Sequence, residues 1–370
     1  MKQHYDFLIV GSGISGSTMA RLLLDAGKTV LVVEKRNEVG GNIHTDLVED
    51  IPVHTYGPHI FHTHSKEAWD FFCKYADVQP FVNRVYANYK GKLISMPFNM
   101  YTFETLFGVK TPEEAKEVIA KEVEKEGIKE PKNLEEQALS LVGRTIYETL
   151  IKGYTEKQWG RNATELPPSI IKRLPIRYEY NDNYFNDVYQ GEPKGGYTPF
   201  IENLLKGADV LTGVDFLADK EKYKALADKV IYTGRLDEYF DFELGHLEWR
   251  SLRFDVVKKE MDSFQSTAVI NYTEREVPYT RVSEHKKFDP SCPNHYSTIL
   301  SFEYPDSFEE GKIPYYVVND EKNSALANEY KKKVSMLKDT YFLGRLANYQ
   351  YYDMDDAILS AFELFNKIAN

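Results

Sequence analysis

The chain has 370 residues, 46 of them basic and 57 acidic, for a formal net charge of −11. That length suggests two or three domains and a core that needs no staples, and the acidity argues against broad binding to nucleic acid, which rests on Lys and Arg neutralising phosphates. Two distant cysteines, Cys73 and Cys292, exclude a disulfide framework and a Cys-rich zinc site.

No run approaches the roughly 18 apolar residues of a membrane span. The start, MKQHYDFLIVGSG, does not read as a signal peptide, so a cytoplasmic protein is expected. Phe7-Leu8-Ile9-Val10 predicts a short buried strand and GSGISG (11–16) a turn. Thr18 to Ala26 predicts a helix ending at Gly27, and Thr29 to Glu34 a second, β-branched strand. Parallel strands bridged by a helix imply an open α/β sheet. From about 104 to 173 the signals are helical. Thr111-Pro112-Glu113-Glu114 reads as a capping-box start, and Asn133 as the cap of a helix carrying Leu134, Ala138, Leu141, Val142, Ile146 and Leu150 on one face.

Residues 176–204 are rich in Tyr, Asn and Gly, and a helix starts at Thr198-Pro199. DKVIYTG at 228–234 predicts another buried strand. Segments 268–280, 296–304 and 313–319 predict a mostly antiparallel sheet. Thr340 to Gly344 predicts a last strand. The helix after it presents Met354, Ala357, Ile358, Ala361, Phe362, Phe365 and Ile368 on one face.

Gly11, Gly13 and Gly16 fit G-x-G-x-x-G between a strand and a helix, where the backbone can approach a pyrophosphate at the helix N-terminus. Glu34, eighteen residues past Gly16, stands where an acid accepts the ribose hydroxyls of an adenosine. Lys35-Arg36-Asn37-Glu38-Val39-Gly40-Gly41-Asn42 follows, and Gly-Gly just beyond that acid is common in FAD proteins. No second G-x-G-x-x-G appears, which favours FAD over a separate nicotinamide domain. Asp353, with Asp356 three residues on, reads as the N-cap of the last helix, whose positive end suits a reduced, anionic flavin.

His54, His59, His62 and His64 lie in VHTYGPHIFHTH, where Gly57-Pro58 breaks any helical metal spacing; a loop beside the cofactor is the better account, and no metal site is expected. The 27 tyrosines suit ring-bearing or sugar ligands. Arg173, Arg281 and Arg345 each lie beside aromatic or turn residues, a placement that suits bidentate recognition of a diphosphate.

Six dispersed strings carry a resemblance over essentially the full length: GSGISG with EKRNEVGGN, YGPHIFHT (56–63), GYTEKQWG (153–160), RLPIR (173–177), NYTEREVPYTR (271–281) and GRLANYQYYDMD (344–355). With these the chain resembles the bacterial UDP-galactopyranose mutases. The resemblance implies FAD, active when reduced, and interconversion of UDP-galactopyranose and UDP-galactofuranose by covalent catalysis through flavin N5, supplying galactofuranose for cell-surface glycans. It implies a homodimer and a cellular flavin reductant.

The residues it implies as catalytic are Arg173, Arg281 and His59. Asn83, Tyr154, Thr155, Trp159, Tyr184, Asn271, Tyr315, Arg345 and Tyr351 are implied for the substrate. Gly11, Gly13, Ile14, Ser15, Gly16, Glu34, Lys35, Arg36, Gly41, Asn42, His59, Ile60, Gly344, Arg345, Asp353 and Met354 are implied for the cofactor. Three departures stand out: Gln350 and Tyr352 replace the family's Arg and Leu, and Ile151 stands where an aromatic residue often helps hold uracil. A flavin oxidase of the amine-oxidase type, a nucleotide-sugar sensor and a mutase of the N-acetylated sugar remain as alternatives.

The expected fold is α/β: a discontinuous, Rossmann-like FAD-binding domain at 1–82, 205–246 and 335–370. An inserted helical domain is expected at 100–175, with a lid near 165–178. An antiparallel β-sheet substrate domain is expected at 83–99, 176–204 and 247–334.

Overall fold

The computed structural model describes residues 2–171 and 175–368. The strand Tyr5–Val10 pairs in parallel with Val30–Val33 on one side and Ala227–Tyr232 on the other. Asp209–Leu211 and Thr340–Phe342 complete a five-stranded sheet, also in parallel. All four residues of Val30–Val33 are buried, as a strand covered on both faces requires. On one face the helices Ile14–Asp25, Thr198–Leu205 and Met354–Ile368 pack Met19, Leu23, Phe200, Leu204 and Ile358 against Phe7, Ile9 and Val32. Phe216 and Tyr239 cover the other, against Tyr5, Leu8 and Tyr232. The fold is α/β with a Rossmann-like sheet, built from both ends of the chain.

A second, seven-stranded sheet runs in the order Tyr316–Val317, Trp249–Lys259, Thr298–Ser307, Arg281–Glu284, Val269–Tyr272, Val85–Tyr89, Lys92–Met96. Its pairs are antiparallel except Val269–Tyr272 against Val85–Tyr89. The expected strand over 268–280 is corrected. Only Val269–Tyr272 is extended, because the chain beyond it leaves the sheet to lie on the helix Lys152–Trp159, where Lys157 Nζ donates to the carbonyls of Tyr272, Val277 and Tyr279.

The predicted caps form at Thr111 and Asn133. The helix that Asn133 starts does not run on regularly to Leu150. Gly143 adopts φ +74°, where a Cβ would stand 2.3 Å from Glu122 Cβ, and the chain continues through a π-helical turn at Tyr147–Ile151. The Tyr- and Asn-rich stretch hides a strand, Tyr189–Pro193, between Phe61–Thr63 and Val78–Pro80. Its Tyr189 ring stacks on Trp69 at 5.5 Å.

Candidate cofactor and substrate site

A cleft of about 500 Å³ lies at the carboxyl ends of the parallel strands, the usual ligand position in such sheets. Gly11 adopts φ +102°, and a Cβ there would stand 2.1 Å from Thr233 Oγ1; at Gly16 one would meet the Gly11 carbonyl oxygen at 2.1 Å. The helix from Ile14 has no side-chain cap at Gly13, so its first N–H groups keep no side-chain acceptor at the cleft wall. Glu34, 7% exposed, accepts from Ser12 N and Oγ at 2.8 and 2.7 Å and from Arg36 N at 2.9 Å, which ties the glycine turn to the second strand.

Arg36 donates to Asn42 Oδ1 at 2.8 Å and lies 4.0 Å over the Tyr56 ring, yet its Nη1 is buried without a partner. A buried guanidinium nitrogen left open beside a glycine cradle fits a diphosphate. The residues present therefore fit a dinucleotide cofactor.

Gly11, Gly13, Ile14, Ser15, Gly16, Glu34, Lys35, Arg36, Gly41, Asn42, His59, Gly344, Arg345, Asp353 and Met354 all line this cleft. Ile60 does not: it packs on Phe81, Val85, Val269 and Phe288, one residue further along a chain whose alternate side chains part. Lys35 is held by Asp215 at 2.9 Å and Glu238 at 3.8 Å. Sequence reasoning missed Val214 to Leu217, Arg235 and Glu310 to Pro314, which arrive from segments with no G-x-G-x-x-G pattern. The turn after DKVIYTG, at Thr233-Gly234, is the one such wall with a readable signal.

The histidines divide. His59 reaches the cleft, and its Nδ1 bonds the Gly57 carbonyl at 2.8 Å. His54 is buried behind it, its Nδ1 accepting from His59 N, while His54 N donates to His285 Nδ1, both at 3.2 Å. His62 and His64 instead pair with Asp187 at 2.8 and 3.1 Å. The expected cofactor-side loop thus reduces to His59. Among the described residues no group of His, Cys, Asp or Glu could hold a metal ion, and no helix is long and apolar enough to cross a membrane.

Beside His59 a second group gathers. Arg345 donates from Nη1 to the Tyr315 carbonyl at 3.1 Å and from Nε and Nη2 to the Tyr352 carbonyl, with the Tyr351 ring 4.7 Å from its Cζ. Tyr351 stacks on Tyr316 at 6.3 Å, and its hydroxyl donates to Asp353. Asp353 opens the last helix, its carbonyl accepting from Ala357 N and its N–H donating to Asp356.

Arg281 Nε lies 3.1 Å from Glu303 Oε1, in the electrostatic neighbourhood of Tyr154, Tyr184 and Tyr316. Burial lowers His59 to about 4, helped by Arg345 and Arg281. Burial also lifts Tyr154, Tyr316 and Tyr351 to about 12, so all three hydroxyls stay protonated donors at neutral pH. Tyr316 was missed, since adjacent tyrosines in a short strand give no sign of which one faces the arginines.

Asn271 sits opposite Arg281 in strand register. Asn83 is buried; its carbonyl accepts from Tyr184 N at 2.8 Å, and its Oδ1 has no partner. Thr155 is buried in the helix Lys152–Trp159, and Trp159 packs on the helical core. Arg173 lies outside the described residues.

Residues 149–351 match the family model described as UDP-galactopyranose mutase. The chain belongs to the UDP-galactopyranose mutase family. Residues 9–75 also match an NAD(P)-binding Rossmann-like domain. The chain is 39% identical over 368 residues to dTDP-fucopyranose mutase of Escherichia coli, covering 96% of each. It is 39% identical over 374 residues to the probable UDP-galactopyranose mutase of Klebsiella pneumoniae, covering 99% of this chain and 96% of that one. A crystal structure of reduced UDP-galactopyranose mutase shares the fold, with a TM-score of 0.76 at 13% identity over 99% of this chain and 95% of the other. The mutase-family stretch takes in Tyr154, Thr155, Asn271, Arg281, Tyr315, Arg345 and Tyr351.

Proposed function

We propose that this isomerase interconverts UDP-galactopyranose and UDP-galactofuranose, with FAD in the glycine-lined cleft and active when that FAD is reduced. The observation that carries the reading is the convergence of Arg281, Arg345 and protonated tyrosine hydroxyls beside His59, at the edge of a dinucleotide cleft. An acidic protein that gathers two guanidiniums and several phenols at one place has built a diphosphate site. Reduced FAD supplies a nucleophilic nitrogen, N5, for displacement of UDP from the anomeric carbon of the sugar.

The chain supplies the rest. Arg281, with Arg173, offsets charge on the diphosphate as it departs; Tyr184 and Tyr315 donate to its oxygens, and Tyr351 does so by turning its hydroxyl away from Asp353. Tyr154 stacks on uracil, while Thr155, Trp159, Asn83 and Asn271 line the uridine and sugar pocket. Arg345 commits three of its five N–H donors to two carbonyls, so it sets the shape of the site and contributes its charge. With Nδ1–H donating to Gly57, neutral His59 keeps a lone pair on Nε2 for a sugar or flavin group. Such clamps hold the anomeric carbon in line for attack. The product serves cell-surface glycans, and the working form is a cytoplasmic homodimer fed by a cellular reductant.

The Escherichia coli relative supports a second reading, in which the nucleotide is dTDP and the sugar lacks a hydroxyl. Ile151, buried against the helical core, gives the base less ring surface than an aromatic residue would. An anaerobic assay with dithionite-reduced protein, resolved by chromatography of the sugar nucleotides, decides. UDP-galactofuranose is expected to yield UDP-galactopyranose without stoichiometric consumption of electrons. No turnover of either isomer would overturn the proposal, and faster conversion of dTDP-fucose would favour the second reading.

A further inference from the structure

The helix Lys152–Trp159 and the loop 273–280 meet at three places. At Gly153 a Cβ would stand 2.2 Å from the Thr273 carbonyl oxygen and 2.9 Å from Arg275 N, so the two backbones touch because the side chain is missing. Glu156, 7% exposed, accepts from Arg275 Nη1 at 3.0 Å and from Ala163 N at 3.1 Å. One residue on, Lys157 Nζ donates to the carbonyls of Tyr272, Val277 and Tyr279 at 2.7, 3.0 and 2.8 Å. An ammonium has three protons and no acceptor, so this one is fully used. A guanidinium, planar and forked, would not reach the same three points.

The carbonyls mark both ends of the loop. Tyr272 closes the strand that carries Asn271, and Tyr279 stands two residues before Arg281. The same helix carries Tyr154 and Thr155, three and two residues before Lys157. One side chain thus joins the element proposed to hold the base to the element proposed to hold the diphosphate. Burial lowers Lys157 to about 8, against Glu274 and Glu276, which leaves the ammonium charged at neutral pH.

We propose that Lys157 is a positioning residue: it clamps the loop 273–280 onto the helix and so sets the spacing between Tyr154 with Thr155 and Asn271 with Arg281. It touches neither cofactor nor reacting atoms. The inference rests on the mutase reading of those four residues. A hydrophobic side chain of similar length would leave three carbonyls facing each other with no donor, and the loop would relax away from the helix.

The test is the affinity of the FAD-loaded protein for UDP, by titration calorimetry, in wild type, Lys157→Met, Arg281→Ala and the double variant. Lys157→Met is expected to keep FAD and to weaken UDP about 10- to 100-fold, as loss of charged hydrogen bonds does. In the Arg281→Ala background the same change is expected to cost less than about 3-fold, since the loop then has no guanidinium to place. Equal losses in both backgrounds would mark a merely structural lysine and overturn the proposal, as would unchanged affinity in Lys157→Met. Should Lys157→Met lose FAD, Lys157→Arg keeps the charge and is read by the same cycle, with a smaller loss expected. Wild type that fails to bind UDP would overturn the mutase reading and the clamp with it; wild type that binds, beside an unaffected Lys157→Met, would overturn the clamp alone.

Discussion

Arg281 and Glu303 form an ion pair at 3.1 Å in which the acid is 2% exposed and the base still opens to the site. Glu303 also accepts from Thr280 Oγ1 at 3.3 Å, so the carboxylate is anchored beside the guanidinium. Replacing Arg281 by Ala is expected to lower kcat/KM about 100-fold or more, the usual cost of removing a preorganised donor at developing charge. The flavin content should not change, because Arg281 does not line the cofactor cleft. Steady-state kinetics and flavin absorbance per protein check both halves.

Gly16 is fixed by sterics. A methyl group there would lie 2.1 Å from the Gly11 carbonyl oxygen, closer than real contacts allow, so Gly16→Ala must push the first turn of the helix off the strand end. The variant is expected to purify without flavin absorbance. A yellow variant with wild-type flavin content would contradict it.

Glu34 bonds three donors from two segments, and Glu34→Ala would strand all three, the two of Ser12 in the interior. A loss of about 1–3 kcal/mol in stability is expected, read as a lower thermal midpoint in protein stripped of flavin. Flavin affinity should fall as well, by dialysis or titration, because the adenosine would lose an acceptor.

The buried histidines make the fold acid-labile. Burial holds His59 near 4, His285 near 3 and His54 well below its ordinary value of 6.5. The unfolded chain therefore binds protons below about 6.5 that the folded chain refuses, and stability falls as pH drops from there toward 4. A series of thermal midpoints from pH 7 to 4 should decline steadily. His285→Asn, whose Oδ1 can take the place of Nδ1 toward His54 N, should flatten that decline. An equal slope in the variant would remove His285 from the account.

The cofactor cleft was legible in the sequence because its chemistry is local. GSGISG and Glu34 lie on one βαβ unit, whose spacing sets both the turn and the acceptor, and strand periodicity sets the sheet around them. The caps at Thr111 and Asn133 were legible for the same reason, since each is a contact between residues three apart. The remaining walls of the cleft, at Val214, Arg235 and Glu310, come from segments far apart in the chain, and no local pattern marks a residue that a distant loop delivers.

The substrate group was reachable by resemblance, yet its geometry belongs to tertiary structure. Sequence cannot separate Tyr315 from Tyr316, show that Arg345 ties down two carbonyls, or send Ile60 into an apolar cluster while its neighbour His59 lines the cleft. The segment 268–280 reads as strand from its β-branched and aromatic residues, and part of it is drawn out of the sheet by an ammonium more than a hundred residues away. Local propensity decides what a few neighbouring residues can satisfy among themselves. Where a buried polar group must find its partner across the fold, only the packed chain decides, because an unpaired charge or carbonyl in the interior costs more than any local preference returns.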